Sequence, residues 1–367
     1  MTEAAREGAG KLRGTECVTL DNAYAIDLKP LFDYIRVKGK PDVIILQLPD
    51  GLKQYALQVA DCIKESTHVD VFIHGDHVYG ACDLHTSKFE YALGSVNWLL
   101  AHVGHTPYPE DLFDNPEVRR GGRGSVVFLG AYSTAPVKTD YILEAVKVLK
   151  NYNARSIAVV GTAQHIRILT QVAEAVRKMG FKAFVPKGYP PYFNDGQVIG
   201  CDYRVARSKP ADAYIIVSGG MFHALGLYLA TLKPVVKIDP YASIVSDVTG
   251  LGERILRKRL FLVSKAMDGR HMGIIVGLKS GQVRMWLLRA LIAKARERGV
   301  KHTVFLMEES NEDNIRNVDS ESIDFYVVTS CPRLPIDDLG SFWKPVLTPG
   351  EAFMALDRRL QPYRFPW

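Results

Sequence analysis

The chain has 367 residues, 47% of them hydrophobic and 23% charged, and a formal net charge of +6. A length beyond the roughly 250 to 300 residues at which one core stops growing predicts more than one domain, and the composition is that of a globular protein, not a disordered or fibrous one. No apolar run approaches the roughly 18 to 20 residues that cross a bilayer, and residues 1–14 hold no apolar signal core, so the reading is a cytoplasmic protein with no membrane partner.

The positive charge is mild and spread out, which gives no footprint for direct nucleic-acid binding; the small cluster of Arg254, Arg257, Lys258 and Arg259 reads as a solvated helix face. Five cysteines in a chain of this length do not make a disulfide framework, and the odd count predicts reduced thiols.

Residues 1 to about 20 lack periodicity and read as a mobile tail before a helix near 28–37. The continuous apolar run 43–47 has the pattern of a strand buried on both faces of a parallel sheet. Pro49, Asp50 and Gly51 break it, a helical pattern follows, and the strand 71–74 leads into the loop of Cys82. Strands at 98–103 and 125–129, separated by a loop around Gly121 and Gly122, complete the first unit.

The second unit repeats the plan: a helix at 141–149, a strand at 156–160, a turn at Gly161, Thr162, Ala163, Gln164 and His165, and a helix ending at Gly180. Strands at 181–185, 213–217 and 234–238 follow, with Cys201 in the long loop after the first of these. The third unit has a helix at 251–259, strands at 273–277, 303–307 and 325–329, and Cys331 directly after the last. Lys279, Ser280, Gly281 and Gln282 read as the cap of its next helix. The predicted fold is α/β: three similar domains (18–134, 135–240 and 241–367), each a parallel four-stranded sheet flanked by helices, arranged around one central site.

Cys82, Cys201 and Cys331 each follow a strand, occur once per unit and lie over a hundred residues apart, which excludes a local zinc finger or ribbon. Ligands of parallel sheets bind beyond the carboxyl ends of the strands, so three units around a common centre would aim these thiols at one cavity. Three thiolates with one open coordination position suit an iron-sulfur cluster that binds a substrate. Cys17 and Cys62 keep ordinary roles, Cys62 as a packing residue and Cys17 near the tail. The strand-end groups Asp50, Gly51, Thr162, Gln164, His165, Lys279, Ser280, Gly281 and Gln282 stand where a charged small molecule would meet free amides. Simple capping is the alternative for each. The histidines 74, 77, 85, 102 and 105 are dense around the first cysteine but form no metalloprotease pattern, and read as surface or packing groups.

The segment 76–83 with its Tyr79-Gly80-Ala81-Cys82-Asp83 core, Gln164-His165, Gly200-Cys201-Asp202, Phe222-His223-Ala224-Leu225-Gly226, Cys331-Pro332-Arg333-Leu334-Pro335-Ile336-Asp337-Asp338 and the stretch 344–349 together resemble the archaeal diphthamide synthase family. The resemblance runs from about 46 to 353 and is carried by the three cysteine motifs taken together. It implies a homodimer in which Cys82, Cys201 and Cys331 of each chain hold a 4Fe-4S cluster. It further implies an electron donor and reductive cleavage of S-adenosylmethionine to methylthioadenosine and a 3-amino-3-carboxypropyl radical. That fragment is then joined to a histidine of translation elongation factor 2, the first step of diphthamide synthesis. Arg333, two residues after Cys331, is a candidate for steadying the ligand's carboxylate or the cluster's charge, with an ion pair to Asp337 or Asp338 as its alternative role. Two other readings compete: a quinolinate-synthase-like dehydratase, in which the open iron acts as a Lewis acid on a small diacid, and a noncatalytic metal-binding scaffold.

Overall fold

The computed structural model describes residues 11–19, 21–108 and 124–367. The expected loop around Gly121 and Gly122 and the first ten residues of the expected tail lie outside them. Instead of continuing as a tail, the chain from Lys11 forms two short strands, β1 (Lys11–Arg13) and β2 (Glu16–Val18), followed by β3 (Tyr24–Asp27) and helix α1 (Lys29–Lys38). The first unit then runs β4 (Val43–Gln47), α2 (Ala56–Thr67), β5 (Asp70–Ile73), α3 (Thr86–Leu93), β6 (Trp98–Val103), β7 (Ser125–Leu129) and β8 (Ala131–Ser133). Strands β1, β2, β3 and β8 pair antiparallel in a small sheet of their own, which the sequence reading missed. Three-residue strands carry too little periodicity to be seen in sequence.

The second unit contains α4 (Thr139–Lys150), β9 (Ser156–Gly161), α5 (Leu169–Lys178), β10 (Lys182–Phe184), α6 (Arg204–Arg207), β11 (Ala213–Val217), α7 (Met221–Thr231), β12 (Val235–Asp239) and β13 (Ile244–Asp247). The third contains α8 (Thr249–Ala266), β14 (His271–Gly277), α9 (Met285–Glu297), β15 (Lys301–Met307), α10 (Glu312–Val318), β16 (Phe325–Val328), β17 (Val346–Leu347) and α11 (Pro349–Leu356). The three parallel sheets run β5-β4-β6-β7, β10-β9-β11-β12 and β15-β14-β16-β17. Numbered within each unit, the strand order is the same, 2-1-3-4, so the repeat seen in sequence is a repeat of topology. The second sheet adds β13 antiparallel to β12. That fifth strand lies past the boundary expected at 240, so the pairing of the second unit extends beyond it.

Strands β4, β9, β11, β12, β14 and β16 are buried nearly along their whole length because helices cover both faces of each sheet, which is why they read as unbroken apolar runs. Helix α5 shows how the faces are covered: Leu169, Val172, Ala173 and Val176 recur at helical spacing and all point into the core. Burying each of the larger three contributes about 1.5–3 kcal/mol.

Two expectations about side chains need correcting. Arg259 does not lie on a solvated face: it is buried at 1% exposure and spans to Glu351, Pro335 O and Val346 O. A cationic head surrounded by a carboxylate and two carbonyls no longer needs water. Cys17 and Cys62 are not both free thiols; their sulfurs are paired, closing β2 onto α2, while Cys62 also sits in the core as expected. Their pairing depends on the strand β2 that sequence did not show.

Candidate functional site

In a 2-1-3-4 sheet the strand order reverses between strands 1 and 3, leaving a crevice at their carboxyl ends. The first cysteine loop, between β5 and α3, is fixed from the third unit: Gly281 N donates to Cys82 O at 2.9 Å and Leu84 N to Ser280 Oγ at 3.3 Å. Lys279 reaches the buried Asp83 at 3.2 Å and Glu309 at 2.8 Å. Residues 279–282 are therefore a clamp between units. They do not cap α9, which begins later at Met285 with Arg284 before it.

Cys201 lies on a tight turn in which Ile199 and Asp202 exchange backbone hydrogen bonds of 3.2 and 3.0 Å. Gly200 lies against Phe222, where an added Cβ would fall 2.4 Å from the ring. Cys331 leaves β16 and accepts a backbone hydrogen bond from Leu334 N at 3.2 Å, opening a single wide helical turn over Leu334–Asp338.

The three thiols meet around Arg284. This guanidinium is 1% exposed and donates to Thr329 O at 3.1 Å, to Ser330 O beside Cys331, and to Tyr108 Oη at 3.1 Å. The Tyr108 hydroxyl is in turn hydrogen bonded to Cys201 Sγ, and Gln282 Nε2 approaches Cys82 Sγ at 3.7 Å. The ring of Trp367 stacks over the guanidinium at 4.4 Å. Burial, and then the charge of Cys331, push the Cys82 thiol up to about 11. Burial likewise raises Cys201 and Cys331, against the opposing charge of Arg284. Desolvated thiols of this kind stay protonated until a cation compensates the thiolate. Three soft sulfur donors from three units, with a permanent cation beside them, fit an iron-sulfur cluster better than a hard ion such as calcium or magnesium.

Neutral imidazoles flank the thiols. His102 Nδ1 contacts Gln47 Oε1 at 2.7 Å and its Nε2 contacts His105 Nδ1 at 3.0 Å. A Cβ on Gly80 would lie 3.9 Å from both Cys82 Sγ and His105 Nε2, which puts His105 beside the cysteine loop. Burial and the nearby His223 push His105 down to about 4, while burial and the charge of Arg333 do the same to His223. His102 is buried and His105 partly so, and both pack in a chain beside the thiols, the packing role of the two read from sequence.

The other predicted contacts follow the carboxyl ends of three different strands, β4, β9 and β16. Asp50 is exposed and pairs with Lys53 at 2.8 Å and His77 at 2.7 Å, and Gly51 faces open space. Thr162 and His165 are buried at 6% and 1% exposure, with Thr162 Oγ1 and both ring nitrogens of His165 lacking hydrogen-bond partners; Gln164 between them is half-buried. Arg333 is half-exposed, 3.7 Å from Asp337 and 3.9 Å from Asp338. Sequence reasoning missed Arg284, Tyr108 and His223 as site groups. Arg284 had a local signal, an arginine two residues after the turn of Gln282, but nothing in sequence shows that it turns inward.

The family model of the putative diphthamide synthesis protein matches residues 48–365. The chain belongs to this family. It is 33% identical to the 2-(3-amino-3-carboxypropyl)histidine synthase of Pyrococcus horikoshii over 88% of this chain and 87% of that one. It is 29% identical to subunit 1 of the synthase from Gallus gallus over 92% of this chain and 78% of that one. Among solved structures, Dph2 from Pyrococcus horikoshii with a 4Fe-4S cluster superposes with a TM-score of 0.73 at 29% identity, covering 92% of this chain and 90% of the other. A second structure of the same protein gives a TM-score of 0.76 and covers 96% and 94%. No helix among the described residues is long and apolar enough to cross a membrane.

Proposed function

We infer that this chain transfers the 3-amino-3-carboxypropyl group of S-adenosylmethionine to a histidine of translation elongation factor 2, the first step of diphthamide synthesis. The observation that carries the reading is the convergence of three cysteines from three separate units on one buried arginine, in a chain of the diphthamide synthesis family. Cys82, Cys201 and Cys331 would hold a 4Fe-4S cluster. Such a cluster, held by these three cysteines, would supply the electron that cleaves S-adenosylmethionine.

The chain's own residues do the rest by position and charge. Arg284 offsets the negative charge that three thiolates gather in a desolvated place. Tyr108 and Gln282 donate toward sulfurs of Cys201 and Cys82. Ala81, Tyr108, Phe128 and Ile199 form an apolar wall beside Cys201 that keeps water from a reactive fragment. Arg333, whose acidic neighbours hold it only loosely, would bind the methionine carboxylate. The unpartnered Thr162 and His165, with Gln164, would receive polar groups of the same ligand. Lys279, Ser280, Gly281 and Gln282 contribute by fixing the Cys82 loop. Asp50 and Gly51, in the exposed turn after β4, would contribute to holding the charged small molecule.

The chain would work in the cytoplasm as a homodimer with an external electron donor. The test incubates the reduced, reconstituted protein with S-adenosylmethionine and archaeal elongation factor 2, then weighs the factor by mass spectrometry. A mass gain of one aminocarboxypropyl group with equimolar methylthioadenosine is expected. Release of 5′-deoxyadenosine with no gain would overturn the reading.

A further inference from the structure

Residues 74–85 carry Cys82, and the two ends of this segment hold a cluster of side chains that the proposed reaction does not use. His74 directly follows β5, Asp76 comes two residues later, and His85 precedes α3. One ligand atom from each of the three lies within 4.8 Å of the others, and His74 Nε2 is already 3.7 Å from Asp76 Oδ2. The His74 and His85 rings stand edge to face with centroids 4.8 Å apart.

Several independent features point to a ligand here. The His85 side chain is 8% exposed; its Nε2 sits 2.7 Å from Asp83 Oδ1, while its Nδ1 has no hydrogen-bond partner. A buried ring nitrogen such as this Nδ1 almost always has a partner. His85 takes a left-handed backbone, φ 57°, at the turn into α3, and its ring stands beside that of His74. His74 is partly buried, with a side chain 9% exposed. Gln47 Nε2 comes only to 3.5 Å from His74 Nδ1 and directs its amide mainly to Asp83 O and Leu84 O at 3.2 and 3.4 Å, so the ring is weakly held and free to change tautomer. A cavity of about 210 Å³, bordered by His74, Asp76, Phe89 and Leu93, opens on the His74 and Asp76 side of the cluster.

We propose that His74, Asp76 and His85 form a second metal site, for a divalent transition ion of the zinc type, that fastens the loop carrying Cys82. Two imidazoles and one carboxylate are donors for zinc, and the oxygen-only preference of calcium and magnesium excludes those ions. Zinc with donors at about 2.0–2.1 Å holds them roughly 3.3 Å apart, so the set must contract. Asp76 has a side chain 78% exposed and is free to swing in. Asp83 on the far side of His85 orients the ring, as a carboxylate behind a ligating histidine commonly does. The ion would tie the end of β5 to the start of α3 and close the segment that presents the cysteine.

The test uses anaerobically purified, cluster-loaded protein, in which the three cysteines are occupied, and Zn²⁺ alone as the probe. Calorimetry and metal analysis after desalting should find one zinc per chain in addition to the iron, with affinity reduced at least about tenfold in Asp76→Asn and more in His74→Ala. Iron content and visible absorbance should stay at the wild-type level in Asp76→Asn, whose exposed position makes misfolding no explanation. Zinc should slow hydrogen exchange across residues 75–85 in the wild type and not in the variants. Zinc bound equally by wild type and both variants, or no zinc retained by the loaded wild type, would overturn the site while leaving the proposed transferase reaction untouched.

Discussion

Replacing Arg284 by methionine removes a buried cation of similar length and leaves the thiols without their counter-charge. Its contacts with Tyr108, and of Tyr108 with Cys201, put the guanidinium within about 6 Å of that sulfur when laid end to end. At that separation and an effective dielectric constant near 20, the lost attraction is about 3 kcal/mol, or roughly two pKa units for the thiolate and on the order of 100 mV for a one-electron couple. The carbonyls of Thr329 and Ser330 lose their donor as well, at about 1–3 kcal/mol each. Arg284→Met should therefore load less iron under anaerobic reconstitution, and the cluster it does hold should have a more negative reduction potential. Arg284→Lys should recover most of the potential, since the charge returns, but not the thermal stability, since one ammonium cannot reproduce the guanidinium fork. Spectroelectrochemical titration with iron analysis measures both effects. Full iron loading and an unchanged potential in Arg284→Met would refute the assignment of this arginine as the counter-ion.

Alanine at Cys82, Cys201 or Cys331 should abolish the visible absorbance and iron content, whereas serine at Cys17 and Cys62 should leave both in place; retention of iron in Cys201→Ala would remove the three-ligand reading. Gly200→Ala, which forces a Cβ to within 2.4 Å of Phe222, should displace the Cys201 turn and lower iron loading, while Gly51→Ala, facing open space, should change nothing measurable in the same assay. Glu351→Ala should cost about 3–5 kcal/mol in denaturant unfolding, because it strands the buried Arg259 charge. Burial opposes ionisation of Asp83, but the His85 contact and the Lys279 charge outweigh it and hold its pKa below the ordinary value. Its contribution is then present above the unfolded pKa of about 3.9 and disappears as pH falls through the lower folded value. The thermal midpoint of Asp83→Asn should accordingly vary less with pH below about 4 than that of the wild type.

The sequence by itself determined the repeating architecture. Runs such as 43–47, 213–217 and 325–328 are apolar on both sides because each strand is covered on both faces, so the local pattern and the buried state carry the same information. The three cysteines stood out because each follows such a run in a loop rich in glycine, proline or aspartate. What only the tertiary structure decided is which polar side chains turn inward. Arg259 and Arg284 look like any arginine near a helix, yet both are buried, one against Glu351 and one against carbonyls beside the thiols. The clamp of residues 279–282 on the Cys82 loop and the pairing of Cys17 with Cys62 likewise join segments distant in the chain. Hydrophobic periodicity is a local property and survives in the sequence, whereas the partner of a buried charge or thiol is fixed by packing between units, and no short-range pattern records it.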